Sequence, residues 1–330
     1  MSSSILVTGG AGYVGSHACK ALATAGYTPI TLDDLSTGHR WAVKWGPLIE
    51  GDIANYKLVM DTLARFQVHA VLHFAAHAYV GESIVNPRKY FRTNASKTLA
   101  LLEAVLDARI DKFIFSSSCA TYGISAEPIA ENNLQNPINP YGASKLFIEH
   151  VLKWYENAYG LRYVILRYFN VAGADPDGEI GEVHTPETHI VPLIIAAARG
   201  KGPPIEIFGT DYDTADGTAV RDFIHVSDLV SAHVKAIDRL FAGKPSVSSN
   251  LGTGRGYSIR EIIAAVEQVA GKRIPAVEGI RRLGDPPALI ANPEFGQATF
   301  DWYPAHSGLE TIVRTAYAWH QKAENLQKNF

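Results

Sequence analysis

The first sixteen residues constrain the fold more than any other stretch. Ile5-Leu6-Val7 is a short apolar run of the kind buried in a parallel sheet. It runs into Thr8-Gly9-Gly10-Ala11-Gly12-Tyr13-Val14-Gly15-Ser16, after which Cys19, Ala21, Leu22 and Ala25 continue as a helical pattern. A strand, a glycine-rich turn and a helix start make a dinucleotide-binding unit. The glycines let the backbone approach a pyrophosphate, and the helix N-terminus offers amide N–H groups and its positive dipole end. Here they are Gly9, Gly12 and Gly15, spaced G-x-x-G-x-x-G. A chain that starts this way is expected to continue as alternating strands and helices, and the pattern holds to about residue 170.

The second strand, Tyr27 to Leu32, ends in Asp33-Asp34. An acidic residue about 20 positions past the loop bonds the adenosine ribose hydroxyls and repels a 2′-phosphate, so NAD is expected over NADP. Gly51-Asp52-Ile53 closes a third strand, with Asp52 placed to meet the adenine amine. Val71-Leu72-His73-Phe74 is the fourth, followed by the small residues Ala75 and Ala76. Asn94 lies inside a helix, where Asn is unfavourable, so a polar role within the fold is expected. Lys112 to Phe115 is the fifth strand and ends in Ser116-Ser117-Ser118, where α/β folds bind ligands.

Tyr141 and Lys145 follow, one helical turn apart on one face. A phenol with a reference pKa of about 10 is a poor base, and a neighbouring ammonium favours its phenolate. Such a pair can move the proton of a substrate hydroxyl while a hydride moves. The strand Tyr163 to Leu166 leads into Arg167-Tyr168-Phe169-Asn170. Beyond it come a helix over Pro186 to Arg199, a strand over Ile205 to Gly209, a polar loop Asp211 to Asp216, a helix over Leu229 to Leu240, and a helix from Ser258 with Glu261 as capping-box partner. The fold class expected is α/β, a doubly wound parallel sheet (Rossmann-type) with a smaller mixed α/β C-terminal substrate lobe. The expected division is residues 1–170, with 224–250 packing back onto them, and 171–330.

A net charge of −3 gives no reason to expect nucleic acid or an acidic membrane as partner. No apolar run reaches membrane-spanning length, and the N-terminal residues lack a basic segment and cleavage site. Cys19 and Cys119 are too few for a disulfide framework, so a reducing, cytoplasmic setting is expected. The remaining histidines, including His184, His225 and His233, do not form a metal spacing such as H-x-x-x-H with an acidic partner, and no metal is expected.

With these motifs in one order, the chain resembles the extended short-chain dehydrogenase/reductase superfamily, and within it the UDP-glucose/UDP-galactose 4-epimerase branch. Further anchors are Gly81-Glu82-Ser83, Phe208-Gly209-Thr210-Asp211-Tyr212, Asp216-Gly217-Thr218, Arg221-Asp222-Phe223-Ile224-His225-Val226, Asn250 to Gly254, Arg281-Arg282 and Gly284-Asp285. The resemblance implies NAD contacts from Gly9, Gly12, Tyr13, Val14, Gly15, Asp33, Asp34, Asp52, Ile53, Phe74, Ala75, Ala76, Asn94, Ser116, Tyr141, Lys145 and Tyr168. It implies Tyr141 as acid/base at the sugar O4, with Lys145 lowering its pKa and Ser118 sharing the proton. The UDP-sugar is then held by Ser118, Tyr141, Asn170, His189, Ile190, Phe208, Arg221, Arg282 and Asp285. A homodimer through the Tyr141 and Asn94 helices is also implied.

Three departures stand out: Ala78 where many relatives carry Lys, His189 where an Asn contacts the nucleotide, and Leu289 where a Tyr narrows the sugar pocket. Related dehydratases place an Asp-Glu pair after the catalytic Ser/Thr, whereas Cys119-Ala120 follows Ser118 here, which disfavours dehydration; a UDP-sugar decarboxylase or dehydratase stands as a further alternative. UDP-xylose/UDP-arabinose, UDP-glucuronate and UDP-N-acetylhexosamines stand as alternative substrates, and a non-catalytic NAD-binding protein as an alternative class.

Overall fold

A computed structural model describes residues 3–125, 128–282 and 285–327. The strands β1 (Ser4–Thr8), β2 (Thr28–Asp33), β3 (Leu48–Glu50), β4 (Val68–His73), β5 (Lys112–Ser118) and β6 (Arg162–Tyr168) form one parallel sheet in the order β3-β2-β1-β4-β5-β6. The chain then leaves through β7 (Asn170–Ala172), β8 (Ile205–Phe208) and β9 (Val220–His225). It returns as β10 (Val247–Leu251), which pairs in parallel with β6 and completes seven strands.

Alternation along β1 separates the two cores, because successive strand residues face opposite sides. Ile5 and Val7 pack with Leu22, Val164, Leu229 and Ile237 on one face. Leu6 packs with Leu32, Leu63, Leu101, Phe113, Ile148 and Leu152 on the other. The helices that cover these faces are α1 (Tyr13–Thr24), α2 (Tyr56–Arg65), α3 (Val80–Val85), α4 (Pro87–Tyr90), α5 (Thr98–Asp107) and α6 (Pro140–Tyr159), followed later by α7 (Ile190–Ala198) and α8 (Val226–Phe241). Between α4 and α5 the helix widens into a π-helical stretch, Phe91–Lys97, which contains Asn94.

The bounds of α6 are fixed by its ends. The Asn139 side chain accepts the Gly142 N–H at 2.8 Å, Pro140 occupies the first turn, and Gly160 ends the helix at φ 73°. The expected capping box of Ser258 and Glu261 is present. The helix expected from Pro186 begins instead at Ile190. The reason is local: the Glu187 carboxylate accepts the N–H groups of Thr188 and His189, which holds those residues in a turn. The smaller half has its own core around Val191, Ile195, Ile205, Phe223, Ile262 and Val313. No helix among the described residues is long and apolar enough to cross a membrane.

Candidate active site

The glycine loop runs from the end of β1 into α1. Gly9 sits at φ 72°, and a Cβ there would come within 2.7 Å of the Ala75 backbone nitrogen. A Cβ on Gly15 would meet the Gly9 carbonyl oxygen at 2.1 Å. Gly12 caps α1 with no side-chain hydrogen bond, so the first-turn amides of Tyr13, Val14 and Gly15 remain available for a phosphate. Asp33 ends β2 almost buried. Its Oδ2 accepts Ala11 N–H at 2.9 Å and its Oδ1 accepts Leu35 N–H at 2.8 Å, leaving a lone pair on each oxygen for a sugar hydroxyl. The cradle and the carboxylate fit a dinucleotide.

Several residues expected on the cofactor have other partners. Asp34 is bent onto Ser36. Asp52 is paired with the Lys97 ammonium at 2.5 Å and caps its own turn through Ala54 N–H. Asn94 spends its amide on the His77 backbone, both N–H and carbonyl at 2.9 Å, and on Ser144 Oγ at 3.2 Å. The Tyr13 hydroxyl donates to the Gly173 carbonyl at 2.7 Å, which ties α1 to the start of the second half. Ile53 lies in the core beside Ile30 and Leu32. Phe74 and Tyr168 pack with His233, and the Tyr168 hydroxyl bonds Ser116 Oγ.

Ser118 at the end of β5 and Tyr141 in the first turn of α6 come together. Burial pushes the Tyr141 phenol up to about 12, opposed in part by the nearby Ser118 hydroxyl, which favours the phenolate. Burial pushes the Lys145 ammonium down to about 7, partly offset by Glu149 one turn further on. The Lys145 Nζ donates to the Ser116 carbonyl at 2.8 Å and lies 6.0 Å from the Tyr141 ring centre. In a dry site both groups fall toward their neutral forms unless a charge is brought in.

Sequence reasoning passed over the network beneath this pair. Glu149 is fully buried, accepts Ser117 Oγ at 2.5 Å, and takes both Nε and Nη2 of Arg167, the latter at 2.6 Å. Arg167 reaches Tyr122 at 2.6 Å, and Tyr122 reaches Asn250 at 2.8 Å. The spacing of Glu149, four residues after Lys145, was the available signal. Tyr90 was missed too: its ring stands edge-on to Tyr141 at 6.4 Å, and its hydroxyl donates to Glu82 at 2.8 Å.

In the second half, the Arg221 guanidinium bonds Asp285 and the Val220 carbonyl. The Arg282 guanidinium lies over the Phe208 ring at 3.8 Å. Leu289 pairs with Arg221 across the small sheet and packs against the cluster of Cys119, Tyr122 and Phe169, near the catalytic pair. Asn170 begins β7, and His189 caps α7 just before Ile190. Gly284 lies outside the described residues.

The model of the NAD dependent epimerase/dehydratase family matches residues 5–252. The chain belongs to that family. Among curated members it is 49% identical to a UDP-glucose 4-epimerase of Rhizobium meliloti (strain 1021), over 97% of this chain and 98% of that protein. Among solved structures, a UDP-glucose 4-epimerase from Brucella ovis in complex with NAD superposes with a TM-score of 0.94 at 50% identity, covering 96% of this chain and 98% of that one. One from Bifidobacterium longum in complex with NAD+ and UDP gives 0.92 at 34% identity, covering 98% and 99%. This epimerase/dehydratase member thus shares fold and full length with UDP-glucose 4-epimerases.

Proposed function

We propose that the protein is an NAD-dependent 4-epimerase that interconverts UDP-glucose and UDP-galactose through a transient 4-keto sugar. The observation that carries the reading is the convergence of Ser118, at the C-terminal end of β5, with Tyr141 and Lys145 of α6, whose ammonium bonds the Ser116 carbonyl, in a sheet whose first strand ends in the glycine loop. The loop amides, Asp33 and Lys145 hold NAD. NAD+, when bound, supplies a hydride acceptor for the sugar C4 and a positive charge that favours a phenolate.

Tyr141 takes the O4 proton and later returns it, and Ser118 shares that proton through its hydrogen bond. Arg221 and Arg282 offer their planar cations to the diphosphate, which suits guanidinium geometry. Phe208 offers a ring face to uracil, and the resemblance adds Asn170, His189, Ile190 and Asp285 to the nucleotide-sugar contacts. Holding the nucleotide firmly while leaving the sugar loosely bounded lets the keto sugar turn and receive the hydride on its other face. Cys119 and Ala120 provide no carboxylate for elimination. Incubation with UDP-galactose should give UDP-glucose of unchanged mass, and failure to invert C4 on any UDP-sugar would sink the reading. Leu289 in place of a larger ring supports acceptance of an N-acetylated sugar, which the same product analysis measures.

Residues 1–170 with 224–250 serve as the cofactor half in this reading, and the remaining residues as the substrate half. A homodimer is supported by Phe91, Phe147 and Trp154, exposed apolar side chains on the π-helical stretch and on α6. Light scattering at twice the subunit mass is the expected result. The two cysteines are buried and unpaired, which supports a cytoplasmic setting.

A further inference from the structure

Two clusters of ligand-forming side chains lie on the connection between β7 and α7. In the first, Asp175, Asp177 and Glu179 surround the Lys20 ammonium at 2.7–2.8 Å, so that cluster already has its cation. The second comprises Glu182, His184, Glu187 and His189, with ligand atoms all within 4.8 Å of one another. Among the described residues, the ion-pair partners of its two carboxylates are these histidines, with no lysine or arginine.

The separations decide between a hydrogen-bonded knot and a cation site. His189 Nδ1 lies 2.8 Å from Glu182 Oε1 and 3.0 Å from Glu187 Oε1. His184 Nδ1 lies 3.1 Å from Glu182 Oε1 and 3.7 Å from Glu187 Oε2. A tetrahedral site with bonds of about 2.0–2.1 Å has ligand-to-ligand edges of about 3.3 Å, in the middle of that range. Hydrogen bonding accounts for only part of the arrangement. Glu187 Oε1 is taken by the N–H groups of Thr188 and His189 and by the His189 ring, which leaves Oε2 facing inward. The His184 Nδ1 atom is shut off from solvent and makes no hydrogen bond, despite the carboxylate beside it. A buried nitrogen that has an ion-pair neighbour but no well-aligned hydrogen bond is incompletely satisfied, and metal coordination is one way to complete it.

Two carboxylates carry two negative charges, and a divalent cation neutralises them. Mixed imidazole and carboxylate donors suit the zinc class rather than magnesium or calcium. The surroundings hold the four residues in place: the Tyr79 ring lies 5.9 Å from both imidazoles, and Trp319 donates to the Glu182 carbonyl at 3.1 Å. We propose that Glu182, His184, Glu187 and His189 form a binding site for a zinc-class divalent cation. It pins the connection where it turns into α7. His189 then faces the cluster with its side chain, whatever its backbone offers the nucleotide. The sequence alone hid this site because E-x-H-x-x-E-x-H matches no standard ligand spacing.

Untagged protein, stripped with a chelator and dialysed, is titrated with Co2+ and then with Zn2+. The expected result is one equivalent of Co2+ with visible absorption of a low-symmetry site, displaced by Zn2+, and a higher melting temperature with either ion. Glu182→Gln should lose that equivalent. His184→Asn, a gentler change at a less buried position, should lose it too and guards against misfolding of the first variant. Wild type that takes up neither ion in excess overturns the proposal, as does uptake that persists unchanged in both variants. The readout is metal content and spectrum, so it stands whether or not the epimerase reading survives.

Discussion

On the face of α6 that carries Tyr141 and Lys145, burial drives Lys145 down to about 7 and Tyr141 up to about 12, each toward its neutral form. On the connection before α7 the balance runs the other way. Burial opposes the charge there too, but the Glu182 and Glu187 carboxylates raise His184 to about 9 and His189 to about 10. In the first region burial outweighs the one nearby counter-charge, Glu149, so the groups that are to exchange a proton stay near their neutral forms. The second surrounds its groups with opposite charge, which suits holding a position. Glu149 and Arg167 belong to the second style but lie directly beneath the first.

The sharpest test of that contrast removes the phenol proposed to take and return the O4 proton. Tyr141→Phe should lower kcat by about 10²–10⁴-fold, the usual worth of a positioned acid/base, with KM little changed. Steady-state kinetics on UDP-galactose measures it, and near-normal kcat would break the comparison. Next in size, Glu149→Gln leaves the Arg167 charge buried without its partner, and loss of about 3–5 kcal/mol is expected in urea melts. A loss below about 1 kcal/mol would place the pair among structurally neutral contacts.

A third effect separates the two regions by pH. His17, His73, His225 and His233 are buried and held neutral, with burial pushing His73 to about 3 and the others to about 4. Their folded pKa values lie below the unfolded value of about 6.5, so the unfolded chain binds more protons in between. Their contribution is present above pH 6.5 and is lost as pH falls toward 4. His184 and His189 have raised values, so in chelated protein their contribution is full below pH 6.5 and is lost as pH rises through 9 to 10. Thermal melts across pH should decline on both sides, and His184→Asn should flatten only the alkaline side. Smallest of all, Asn139→Ala removes the cap of α6 and should cost about 1 kcal/mol without moving the pH profile.

Much of this architecture was legible because it depends on local pattern. The apolar runs became parallel strands, the loop Gly9 to Gly15 sits between β1 and α1, and Ser118, Tyr141 and Lys145 converge. What escaped depends on who arrives from far along the chain. Asp52 reads as a free carboxylate until Lys97 is folded against it. Asn94 reads as a polar group with a role inside the fold, but only the folded chain shows that a π-helical turn aims its amide at the His77 backbone. Glu149 drew no reading from the sequence, yet Arg167 and Ser117 meet it in the interior. Glu182 and His184 came together only because the connection before α7 folds back on itself, which no periodicity announces.

The return of β10 to the side of β6 also bears on how the chain is made. A ribosome delivers β6 long before β10, with the whole excursion through β7, β8 and β9 between them. Throughout that interval β6 presents a row of unpaired backbone groups, the kind of template that recruits strands from other molecules. A chain arrested after residue 170 should therefore aggregate, while one arrested after residue 251 should stay dispersed. The seventh strand acts as a late seal on a sheet that is vulnerable while it is being born.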